Sequence, residues 1–84
     1  MKGIIVLVNL PRGRAAVWTE NDEYSSFEIV DSHEPEFGDI IEGQLESLGS
    51  ETIYNATQKS KFDVLIEDIH SIKAEAIKFV SGSL

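Results

Sequence analysis

Residues 3–17 read Gly3-Ile4-Ile5-Val6-Leu7-Val8-Asn9-Leu10-Pro11-Arg12-Gly13-Arg14-Ala15-Ala16-Val17. Two apolar runs flank a centre in which Pro11 presets φ and Gly13 supplies a left-handed position, the chemistry a strand reversal needs. The stretch is therefore a β-hairpin. In its first arm, Gly3 to Val8, both alternating faces are apolar, Ile4, Val6 and Val8 on one and Ile5 and Leu7 on the other. Such a strand expects cover on both sides.

Working outward, Arg14 to Thr19 separates Ala15, Val17 and Thr19 from Arg14, Ala16 and Trp18 by the two-residue period of a strand. Glu20-Asn21-Asp22-Glu23 breaks the pattern with turn-forming and charged residues. Tyr24 to Val30 resumes it as a third strand, with Phe27 and Ile29 opposite Tyr24, Ser26 and Glu28. The polar segment from Asp31 to Glu36, with Pro35 inside it, reads as a surface connection. Ile40 to Glu46 is the next strand, and Gly43 within it marks a bulge or a sharp bend. Leu48-Gly49-Ser50 ends that strand, Thr52 to Ala56 forms a short one, Gln58 to Lys61 is a polar loop, and Phe62 to Ile69 closes the sheet. The period then changes. Ile69, Ile72, Ala76, Phe79 and Val80 recur at helical steps, with Ser71 as N-cap and Gly82 as C-cap. This short helix needs a dock, and the outer face of the first strand is where it is expected.

These elements define a mainly β fold: a small antiparallel barrel of five or six strands over residues 1–69, followed by a short helix over 70–80, in a single domain spanning 1–84. A chain of 84 residues buries only about two thirds of its unfolded surface. With no cysteine, its core must come from the 42% of residues that are apolar. The apolar run from Ile4 to Val8 is too short for a signal segment or a membrane span, so a soluble, cytoplasmic protein is expected. Fifteen acidic against seven basic residues leave a net charge of -8, which repels polyphosphate at long range.

Two stretches resemble known families. Gly3 to Val17 is similar, without gaps, to the opening of the bacterial cold-shock proteins, G-x-V-K-W-F-N-x-x-K-G-F-G-F-I, through Gly3, Ile5, Asn9, Arg12, Gly13 and Val17. Gly38-Asp39-Ile40-Ile41-Glu42-Gly43-Gln44-Leu45 resembles the G-D-x-V-x-G-x-V strand opening of S1 domains. Both families are OB-folds, Greek-key barrels that present strands 2 and 3 and two loops to ligand. The resemblance therefore implies an OB-like, cold-shock-like barrel, and it covers the chain to Leu45. It also implies positions for base-stacking aromatics, and those positions hold Leu7, Arg14, Ala16, Ser26 and Glu28. Each lost platform removes about 1–3 kcal/mol of single-strand binding. Phe37 aligns with a family loop aromatic.

Two functions compete on these residues. The first is a non-enzymatic interaction module that keeps the barrel, has lost the stacking face, and contacts a protein partner. The alternative is weak binding of single-stranded RNA or DNA through the loops at residues 10–14 and 58–61, with Arg12, Arg14, Lys59 and Lys61 as a local cationic rim and Trp18 and Tyr24 as stacking surfaces. Against that alternative, Trp18 and Tyr24 also read as a cross-strand pair beneath the helix. Asp31, His33, Glu34 and Glu36 have the spacing of neither an EF-hand nor a zinc motif and read as a solvated acidic loop. Glu67-Asp68-Ile69-His70-Ser71 contains residue types of nucleophilic catalysis, but a strand running into a helix splays them, and Ser71 serves better as a cap. No catalytic residue, metal site, cofactor or membrane partner is expected.

Overall fold

In a computed structural model of the chain, which describes residues 1–82, the 3–17 stretch forms the predicted hairpin. The last two positions of the single domain assigned to 1–84 lie outside the described residues. Strand β1 (Lys2–Asn9) enters a single 3₁₀ turn at Leu10–Arg12 and returns as β2 (Arg14–Thr19). Gly13 takes φ 65° there and donates its amide to the Leu10 carbonyl, a left-handed closure that favours glycine. The remaining strands are β3 (Tyr24–Ile29), β4 (Ile40–Glu42), β5 (Gly49–Asn55) and β6 (Ser60–Ser71), and helix α1 spans Lys73–Ser81.

The sheet closes in the order β1-β2-β3-β6-β5-β4, and every neighbouring pair is antiparallel. Two three-stranded meanders are thus joined edge to edge through β3–β6 and β1–β4. The result is a mainly β, closed six-stranded barrel, which leaves no free sheet edge. Its interior holds Ile5, Val17, Phe27, Ile41, Leu45, Ile53, Phe62, Val64 and Ile66 among the buried residues.

The first strand is buried on its inner face and covered by the helix only around Leu7 on its outer one, and its faces are not a simple alternation. The register with β2 slips between Ile5 and Leu7, so Ile5 faces the barrel interior while Leu7 packs outside, under the helix. Ile5 and Leu7, expected on one face, are on opposite ones because a bulged strand carries one extra residue past its partner. Val8 then points inward again.

Helix α1 docks across the outer surface of β1, β2 and β3, where Ala76 and Val80 close over Ala16, with Leu7, Tyr24 and Phe79 around them. Ala16 and Ser26, both fully buried, keep that surface low enough for the helix to approach. Two expectations are corrected here. Strand β6 continues to Ser71, so the helix begins at Lys73 with Ile72 as N-cap, and the Ser71 hydroxyl instead donates to the Tyr24 carbonyl. Ile69 belongs to the barrel core, and Ile72 is 66% exposed and takes no part in the docked stripe.

The second meander is also cut differently. Strand β4 stops at Glu42 because Gly43, at φ 145°, turns the chain so that Leu45 drops into the core. A Cβ on Gly43 would lie 3.1 Å from Ile53 Cγ2. Strand β5 begins at Gly49, three residues ahead of Thr52, and its register against β6 runs from Gly49 opposite Ile66 to Asn55 opposite Ser60.

Candidate interaction face

The segment after β3 is more than a surface connection, because it plugs one end of the barrel. Pro35 is fully buried, and the His33 ring stacks on the core ring of Phe62 at 4.1 Å between centroids. Asp39, nearly buried, accepts on one oxygen from the Glu36 amide at 2.9 Å, Asn55 Nδ2 at 2.8 Å and Gln58 Nε2 at 2.8 Å. Burial alone pushes its carboxyl up. The bonds from Asn55, Glu36 and Gln58, with the nearby His33, outweigh this and hold it below its ordinary value. The Asp31 carboxylate is engaged by the amides of His33 and Asp63.

Arg14 does not face open solvent. Its Nη1 donates to the Phe79 carbonyl at 2.9 Å, its guanidinium lies 4.5 Å from the Phe79 ring centre, and Nη2 stands 3.6 Å from Glu28. Asn9 Nδ2 donates to the Val80 carbonyl in the same way. The last carbonyls of α1, the negative end of its dipole, are thereby satisfied by side chains of β1 and β2. Arg12 lies against Gly82, where an added Cβ would collide with its guanidinium. Lys59 occupies the β5–β6 turn at φ 58°, and Lys61 stands opposite Tyr54. The segment bearing Asp31 and Glu34 runs between these lysines and the arginine turn: it borders a hollow with Leu10 and Gly13, and Gln58 bonds to the Glu34 carbonyl.

Trp18 and Tyr24 are cross-strand partners, as the alternation implies, but only Tyr24 packs beneath the helix. Trp18 is 44% exposed, with Nε1 donating to Asp22 Oδ1 at 2.8 Å. The pairings place Trp18 beside Ile4 and Ile4 beside Ile40, itself 38% exposed. An apolar row therefore crosses the outer surface of β2, β1 and β4. Glu20, Asp22 and Glu42 border it: Glu20 bonds to the Lys2 amide, and Glu42 stands opposite Lys2. Ile4 and Ile40 were not singled out from the sequence, since only the barrel's closure brings the fourth strand beside the first.

The residues at the end of β6 diverge. Glu67 hydrogen-bonds Glu28, which together with burial and the charge of Glu28 pushes its carboxyl up, against the pull of Arg14. His70, at φ 53°, directs Nδ1 to Glu23 Oε1 at 2.8 Å, and Glu46 Oε2 stands 3.5 Å from the same nitrogen. The Glu23 hydrogen bond raises the imidazole above its ordinary value, burial opposes it, and the charges of Glu23 and Glu46 add to the rise. Glu23, Glu46 and His70 are far apart in sequence, and no spacing signals their meeting.

No family model, curated protein or solved structure matches the chain. Among the described residues no helix is long and apolar enough to cross a membrane.

Proposed function

We propose that the protein is a non-enzymatic binding module of OB-like shape that docks a basic protein segment on the row formed by Ile4, Trp18 and Ile40. One observation carries this reading: an indole exposed at 44% stands beside Ile4, which in turn stands beside Ile40, with acidic groups around the row. Aromatic anchors in a desolvated patch supply most of the energy in protein recognition, while surrounding charge sets the association rate and excludes partners of like sign. A chain of net charge -8 selects basic partners on that ground. The six-stranded closed barrel is compatible with the cold-shock-like resemblance, and the helix occupies the surface where that family stacks bases. The competing reading, single-stranded RNA or DNA bound by the loops at residues 10–14 and 58–61, draws on the exposure of Lys59 and Lys61 but has Arg14 engaged by the helix.

Trp18 is the only tryptophan, so its fluorescence reports on the row directly. Titrating a lysine-rich amphipathic peptide at low salt is expected to give a saturable change, with amide shifts centred on Ile4, Trp18 and Ile40. Trp18→Ala should weaken binding by about 2 kcal/mol, roughly thirtyfold, without unfolding the barrel. Shifts confined to Arg12, Lys59 and Lys61 on adding a mixed-sequence oligonucleotide, with none from the peptide, would overturn the proposal in favour of its competitor.

A further inference from the structure

We propose that Glu23, Glu46 and His70 form a site for one divalent ion of the zinc class, between the β2–β3 turn, the β4–β5 loop and the end of β6. Each residue offers one donor atom, and the three atoms lie within 4.8 Å of one another. A tetrahedral ion with bonds of about 2.0–2.2 Å holds adjacent ligand atoms about 3.3–3.5 Å apart. The imidazole nitrogen is already 3.5 Å from Glu46 Oε2, and its 2.8 Å approach to Glu23 has only to open slightly.

A second observation is independent of that clustering. Glu46 Oε2 is sealed from solvent and receives no hydrogen bond, although Oε1 of the same carboxylate is held by Asn21 Nδ2 at 3.0 Å. A buried carboxylate oxygen without a hydrogen-bond donor needs a cation to face it. This one is aimed at the His70 ring. The Asn21 bond fixes the carboxylate plane, as outer-sphere partners of metal ligands do. One imidazole nitrogen with two carboxylate oxygens suits zinc, whereas calcium and magnesium require six or more oxygen ligands. Three protein ligands leave a fourth position for water, so the ion would be exchangeable. Zinc would take the place of the imidazole proton as the cation facing both carboxylates.

The test is zinc titrated into the chelator-stripped full chain at neutral pH, followed by two-bond imidazole spectra and thermal unfolding. The expected result is saturable one-to-one binding, a metal-type shift of His70 Nδ1 with the His33 ring unmoved, and a Tm higher by about 10–20 °C at a hundredfold excess over Kd. Glu46→Gln and His70→Asn, the latter tolerating a left-handed backbone, should each weaken binding about tenfold or more, while His33→Ala should not. Absence of saturation up to millimolar zinc, retention of affinity in both site variants, or an equal response to magnesium would overturn the assignment.

Discussion

Asp39 shows how much one side chain can hold. Three donors converge on a single oxygen that ties the plug segment to β5 and to the turn before β6. Asp39→Asn keeps the shape but removes the charge from those bonds, and it should cost about 1–3 kcal/mol at neutral pH. Because the folded carboxyl sits below its ordinary value of 3.8, its contribution is complete above that value and is lost as pH falls through the lower folded one. Urea unfolding of both proteins from neutral pH to strongly acid conditions should therefore show the stability gap narrowing only below about pH 4. A gap independent of pH would assign the effect to packing. In the sequence Asp39 is legible only as the opening of a strand. Its partners Asn55 and Gln58 come from a hairpin whose register the sequence leaves open.

Helix α1 is short, and isolated helices of its length do not form in water, so it exists through what it covers. Phe79 is half-buried and also contacts the Arg14 guanidinium. Phe79→Ala should destabilise by about 2–3 kcal/mol, below the 3–5 of a fully buried ring, while the exposed Lys78→Ala should stay within about 0.5 kcal/mol. Urea midpoints decide this, and an unmoved midpoint for Phe79→Ala would mean that the helix is not docked. The existence and type of this element were legible from its period, and only one of the three strands it covers from the doubly apolar β1. Its start was not. Ser71 satisfies the general chemistry of a cap, but β3 engages it first through the Tyr24 carbonyl, and β6 runs on to the last residue β3 can pair.

At the scale of the whole molecule, fifteen acidic groups lie within principal extents of 33 × 28 × 23 Å. At about 10 mM salt the screening length is about 30 Å, so repulsion acts across the entire barrel, and at 0.15 M it is about 8 Å. Raising salt over that range should increase Tm by a few degrees in calorimetry, since the pairs it weakens, the half-buried Arg14–Glu28 at 3.6 Å and the exposed Lys78–Glu75 at 3.7 Å, are long and contribute little. A fall in Tm would show that attractive pairs outweigh the net charge. The sequence by itself determined the hairpin, the bounds of β2, the mainly β class and the closing helix, because turn residues and two- or three-and-a-half-residue periods act between near neighbours. Tertiary structure decided which way Leu7 faces, where β5 begins, and that Ile4 meets Ile40 and His70 meets Glu23 and Glu46. Those outcomes depend on a bulge and on the register of strands far apart in the chain, and no local propensity encodes either.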